Sequence, residues 1–228
     1  PNVLISNALK IPVVFDSHEI FTEMPAIQGR FTQKIWRYLE RKLVPNIRYM
    51  MTESVSYANW FSEKYGVSPI AVRNIPKKIT ATVELPDNQP KIILYQGAIN
   101  QSRGIPQTIL AMKYLDNVIF KIAGDGPQFQ KYKNLVVTEK LENKVQFLGK
   151  LLPDDLRKVT RTADVAISLE ENGGVSYLYS LPNKVADCIQ ARVPLVMINF
   201  PEMMRVYDEF KVGEIVENHD PKNISEKL

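Results

Sequence analysis

The sequence predicts an α/β protein built on parallel sheets. Short apolar runs of strand length alternate with helix-length segments along most of the chain. One polar, proline-bounded stretch without helical period interrupts that alternation. The composition, 45% hydrophobic and 24% charged over 228 residues, is that of a globular chain able to bury a core, in one large or two modest domains.

The first part opens with the tail of a helix, Pro1 to Ala8, and a buried strand, Ile11 to Asp16. Ser17, His18 and Glu19 stand at its carboxyl end, where open α/β sheets gather ligands. A lone histidine is more often structural, but that position makes His18 a candidate. Gly29 to Val44 reads as an amphipathic helix, with Phe31, Ile35 and Leu39 along one side and Arg30, Lys34, Arg37 and Arg41 in a stripe along another. Beside Trp36 and Tyr38, the stripe of residues 30–41 suits peripheral contact with an anionic membrane; a solvated face is the plainer reading. A strand at Tyr49 to Thr52, a helix from Ser54 to Lys64 stopped by Gly66, and a strand at Ile70 to Val72 leading to Asn74 complete this part. Residues 1–76 thus form one expected domain and 77–90 the linker.

The second expected domain, 91–228, alternates regularly. Strands at Lys91 to Tyr95, Val118 to Ala123, Val145 to Leu148, Val165 to Leu169, Leu195 to Ile198 and Gly213 to Val216 are separated by helices. These are expected at Ile105 to Tyr114, up to Leu141, at Pro153 to Thr162, from about Leu181, at Glu202 to Phe210 and after Pro221.

Several function classes find no support. There is no Walker loop, no GxGxxG after a strand, no HExxH and no cysteine cluster, so no metal or cofactor is expected. A net charge of +4, without a reading motif, argues against nucleic acid. Cys188 is the only cysteine, which fits a reducing compartment. No apolar run reaches membrane-spanning length and nothing resembles a signal peptide, so a cytoplasmic location, peripheral on the inner membrane face, is the expectation.

Chemistry concentrates between Asp164 and Asn199. A strand ends in Glu170 and Glu171; a loop with Gly173, Gly174, Tyr177 and Tyr179 follows; Ser180 then stands as the expected N-cap of a helix, with Pro182 in its first turn. Leu181, Val185, Cys188 and Ile189 share one face of that helix, and Ser180, Asn183, Lys184 and Asp187 another. A helix start of this kind attracts an anion, Lys184 adds charge, and Asp187 can accept two hydroxyls, as a ribose diphosphate would require. An ordinary capped helix is the alternative. Arg103, the turn Gly124 to Gly126, and Gly149 each follow consecutive strands, so a parallel sheet would bring them to the same edge as the helix start.

The ordered series FDSHE, VRNIP, LYQGAINQSRG, IAGDGP, FLGKL, SLEENGGVSY, YSLPNK and ARVPLV resembles family 4 (group 1) of the retaining glycosyltransferases over nearly the whole chain. The resemblance implies the GT-B fold, two Rossmann-like parallel-sheet domains facing across a cleft, with the N-terminal one incomplete. It implies transfer of a sugar from a nucleotide-diphosphate sugar to a hydroxyl acceptor, a glycan or a lipid-linked one, with retention at the anomeric carbon. It implies that the departing diphosphate helps deprotonate the acceptor, and no metal is expected to take part.

By the same resemblance Arg103 contacts the donor diphosphate and shares the charge compensation with Lys184, while Gly124, Gly126, Ser180 and Asn183 are expected to bind the donor from the strand ends and the helix start. A companion arginine of the family is replaced by Ala98. Asp187 takes the acidic position that holds the ribose, and Glu170 or Glu171 the acidic position near the donor sugar. His18 lies near the transferred sugar and Asn74 beside the interdomain crossing. A fragment of this kind is expected to bind donor and to be inactive alone. A nucleotide-sugar 2-epimerase of the same fold, or a non-catalytic sugar-nucleotide-binding subunit, stands as the alternative.

Overall fold

A computed structural model describes residues 2–78 and 86–228, with Asn7 described in its backbone only. The chain forms two compact units. The first comprises Pro1–Asn74 with Asn172–Leu181, and the second Ile75–Glu171 with Pro182–Leu228. Of the predicted linker 77–90, residues 79–85 lie outside the described residues.

The first unit contains helices α1 (Asn2–Leu9), α2 (Phe31–Leu43) and α3 (Val55–Tyr65), and strands β1 (Val14–Ser17), β2 (Tyr49–Thr52) and β3 (Ile70–Ala71). The strands form a parallel sheet in the order β1-β2-β3. Ser54 caps α3, its hydroxyl accepting from the Tyr57 N–H at 3.1 Å, and Gly66 closes the helix in the left-handed region at φ 69°. Ile20, Val44, Ile47, Met50, Tyr57, Phe61 and Val67 form the core.

Against that core lies a segment from much later in the chain. A single turn, α7 (Val175–Leu178), packs Val175 on it, and Tyr179 follows. The buried Tyr57 phenol donates to the Ser176 carbonyl at 2.7 Å, and Ser54 Oγ donates to the Tyr179 carbonyl at 2.9 Å. The sequence assigns this stretch to the second domain. Its two apolar side chains and these two hydrogen bonds place it in the first unit instead.

Helix α2 departs from its amphipathic reading. Phe31, Ile35 and Leu39 are exposed, while Gln33 is buried and reaches the Thr22 carbonyl at 2.7 Å. Arg37 leaves the basic stripe to clamp the buried Glu23 carboxylate through Nε at 3.2 Å and Nη2 at 2.8 Å. The first strand starts at Val14, three residues later than expected.

The second unit alternates β4 (Lys91–Gln96), α4 (Ile105–Ala111), β5 (Val118–Ala123), α5 (Phe129–Thr138), β6 (Val145–Gly149), α6 (Pro153–Arg161), β7 (Val165–Ser168), α8 (Asn183–Ala191), β8 (Leu195–Ile198), α9 (Pro201–Phe210), β9 (Gly213–Val216) and α10 (Pro221–Lys227). All pairings are parallel, in the order β6-β5-β4-β7-β8-β9. Leu94, Phe120, Ile122, Ile167, Leu195 and Met197 fill the core, each no more than 1% exposed. Numbered within the unit, the strand order is 3-2-1-4-5-6, the doubly wound Rossmann order. Its switch point lies between β4 and β7, and there the loops diverge to opposite faces and leave a crevice.

Close backbone approach fixes the carboxyl edge. Gly97 N–H donates to the Ala123 carbonyl at 3.0 Å, Ile99 N–H to Asp125 at 2.9 Å, and Gly124 N–H to Gly149 at 2.8 Å. A Cβ on Gly124, which sits at φ +154°, would stand 1.8 Å from the Gly97 carbonyl oxygen. Gly124→Ala is therefore expected to destabilise the unit by at least about 3 kcal/mol, because backbone cannot yield as a side chain can. Urea unfolding of the variant checks this; a loss below 1 kcal/mol contradicts the packing.

Candidate functional site

The switch point carries a buried cluster of charges. β7 ends at Ser168, and Glu170, two residues on, is 1% exposed. Ser168 Oγ donates to Glu170 Oε2 at 2.8 Å. Lys184, in the first turn of α8, places its Nζ 2.7 Å from Glu170 Oε1 and 4.3 Å from the Tyr95 ring centroid. The ammonium thus sits between a carboxylate and an aromatic face, although its contact with Oε1 is an ion pair without hydrogen-bond alignment. Arg103, from the loop after β4, brings Nη1 to 3.7 Å from the same Oε1. Burial opposes ionisation of Glu170, but Lys184, then Arg103 and the Ser168 hydroxyl, outweigh it and hold the carboxyl below its usual range. Glu170 thus faces two cations at the carboxyl edge, and α8 directs its N-terminal dipole to the same place.

Glycine makes the Arg103 loop possible. Gly104 is the N-cap of α4 in the left-handed region, and a Cβ there would lie 2.3 Å from the Leu169 carbonyl oxygen. That carbonyl also faces His219 Nε2 at 3.1 Å. His219 is half-buried and docked against the residue before Glu170. The two candidate carboxylates separate here. Glu170 turns into the cluster, while Glu171 turns to α4 and accepts from Gln107 Nε2 at 3.1 Å.

Asp187 lies one turn beyond Lys184, beside a cavity of about 610 Å³ lined by Gln96, Leu156, Arg157, Thr160 and Asp187. Burial pushes its carboxyl up, and Arg157 partly offsets this. Among the described residues no three His, Cys, Asp or Glu side chains come together as metal ligands would.

Of the predicted site residues, the structure gathers Arg103, Glu170 and Lys184 at the switch point and sets Asp187 on the same helix. Asn183 is the first residue of α8. Ser180 and Ile189 depart from their expected places. Ser180 does not cap α8: Pro182 is the N-cap residue, and Ser180 Oγ donates to the Tyr177 carbonyl at 3.0 Å, ending the preceding turn. Gly124 N–H donates to the Gly149 carbonyl and Gly126 N–H to Asp125 Oδ1, as in the tight turn the sequence suggests. Lys184 is 9% exposed and stands as the buried counter-charge of Glu170. Ile189, assigned to the apolar face, is 37% exposed. His18, with Nε2 3.0 Å from Asp16 Oδ2, and Asn74 belong to the first unit.

Residues 77–228 match the family described as glycosyl transferases group 1, and the chain belongs to that family. No curated protein sequence matches it. Among solved structures it is similar to Anabaena Alr3699/HepE in complex with UDP (TM-score 0.76, 13% identity, 99% of this chain and 64% of that one). It is also similar to sucrose-phosphate synthase from Thermosynechococcus elongatus (0.74, 13%, 98% and 60%). A third is WaaG, a glycosyltransferase involved in lipopolysaccharide biosynthesis (0.64, 15%, 98% and 70%). The chain thus spans under two thirds of the length of the first two. The fold is GT-B, and a first sheet of three strands among the described residues fits an N-terminal domain present in part.

Proposed function

We propose that this chain is the donor-binding part of a glycosyltransferase that moves a sugar from a nucleoside-diphosphate sugar to a hydroxyl group, with retention and without a metal. The observation that carries this reading is the Glu170 cluster at the switch point, with Asp187 one turn further along α8. Arg103, 22% exposed, is the cation of the cluster that reaches solvent, and it would meet the diphosphate. Lys184 and the α8 dipole would act from behind it, stabilising the leaving group's charge as it develops. Asp187 would take the ribose hydroxyls. By family resemblance His18 would lie near the transferred sugar and Asn74 at the crossing between domains. UDP in the HepE structure makes a uridine donor the first to test.

A glycan or lipid-linked acceptor in cell-envelope glycan synthesis fits the same reading. So does a cytoplasmic protein resting on an anionic membrane through residues 30–41, where Arg30, Lys34 and Arg41 are exposed beside Phe31, Ile35 and Trp36.

The test is thermal stability of the chain with UDP, GDP, ADP, CDP and NAD. A nucleotide at a hundred times its dissociation constant adds about 2.7 kcal/mol. One nucleoside diphosphate is expected to stabilise the chain, and Asp187→Ala to abolish that shift. A response to NAD alone defeats the reading. Epimerised sugar formed by the parent enzyme without an acceptor would replace transfer by 2-epimerisation.

A further inference from the structure

We propose that Gln96, held by Thr160, is a positioning residue that aims the Asp187 carboxylate at the ribose hydroxyls of the nucleotide. The inference rests on the donor-binding reading and names what sets its selectivity for ribose.

Gln96 is the last residue of β4 and is 4% exposed; Thr160, in the last turn of α6, is 3% exposed. Thr160 Oγ1 lies 2.6 Å from Gln96 Oε1, and Gln96 Nε2 lies 3.4 Å from Asp187 Oδ2. A primary amide offers an acceptor at one end and donors at the other. Once the Thr160 hydroxyl donates to Oε1, the NH₂ group must face Asp187. The reversed amide would set its carbonyl against a carboxylate, two acceptors without a proton between them. A strand, α6 and α8 are thereby joined through side chains at the wall of the 610 Å³ cavity.

The amide takes only part of the carboxylate's capacity. Among the described residues Asp187 has no ion-pair partner, and Gln96 supplies its hydrogen bond. An ionised carboxylate has about four lone-pair sites, so two hydroxyls can still be accepted. Gln96 fixes the side-chain rotation that presents those sites together. Thr160 Oγ1 has a second acceptor, the Leu156 carbonyl at 2.8 Å, so loss of the Gln96 amide does not strand the hydroxyl.

The test measures, by calorimetry on the full chain, affinity for the tightest binder among UDP, GDP, ADP and CDP and for its 2′,3′-dideoxy form. Wild type is expected to prefer the ribonucleotide by about tenfold or more. Gln96→Leu should lose about tenfold on the ribonucleotide and nothing on the dideoxy form. Thr160→Val should shift the ratio in the same direction by a smaller factor, and Thr160→Ser should restore it. An equal loss on both nucleotides means a merely structural role and overturns the proposal. So does ribose preference that survives both Gln96→Leu and Thr160→Val. Wild-type protein that binds none of the four overturns the donor-binding reading itself, and the inference with it.

Discussion

Lys184→Met is expected to cost the second unit about 3–5 kcal/mol of stability, the usual penalty for leaving a buried charge without its partner. Glu170 is 1% exposed, and the nearest cation to its Oε1 is Lys184 at 2.7 Å; Arg103, at 3.7 Å, compensates it less closely. Methionine keeps most of the chain volume over the Tyr95 ring and removes the charge. The double variant Lys184→Met/Glu170→Leu should recover most of the loss, because a buried pair replaced by apolar groups is often neutral or better. Chemical denaturation of the wild type, the single variant and the double variant decides the matter. A single-variant loss under 1 kcal/mol would show that the pair is not desolvated. The double variant should still bind nucleotide poorly, which separates the cluster's part in stability from its part in binding.

The second large effect is kinetic. Arg103→Ala in the full-length enzyme is expected to slow sugar transfer on the order of a hundredfold, the usual consequence of removing one preorganised group that stabilises developing charge. Stability should change by no more than about 1 kcal/mol, since this guanidinium is partly solvated and lies at ion-pair distance from a carboxylate already neutralised by Lys184. Steady-state kinetics beside a denaturation curve reads both. Near-wild-type turnover would remove Arg103 from the reaction; a large stability loss would make its role structural.

The periodicity of the second unit was legible in the chain, because a strand buried on both faces, such as Leu195 to Ile198, reads as an uninterrupted apolar run. Val118 to Ala123 and Gly213 to Val216, interrupted by Lys121 and Glu214, still fall where the spacing of the strands predicts. Helix starts were less legible. Ser180 has the side chain of an N-cap, but Pro182 already supplies the extended backbone before α8, and the serine is committed to the turn behind it. Charge state was hidden for a similar reason. A lysine on a helical wheel looks solvated, and only the fold brings Glu170 and Tyr95 around Lys184. Gln96 gives no signal of its own: it ends an apolar strand, and its partners stand 64 and 91 positions away. The return of residues 172–181 to the first unit was equally invisible, since no local pattern states which core an apolar turn will join.

That return bears on any attempt to take the protein apart. The chain passes from one unit to the other at Asn74–Ile75, Glu171–Asn172 and Leu181–Pro182, so a single cut in the 77–90 region leaves two covalent connections in place. A first unit expressed as residues 1–74 would lack Val175 and Tyr179 from the edge of its core and would deprive the Tyr57 phenol of its Ser176 acceptor. Grafting 172–181 back through a short connector is the dissection that respects how this chain is threaded.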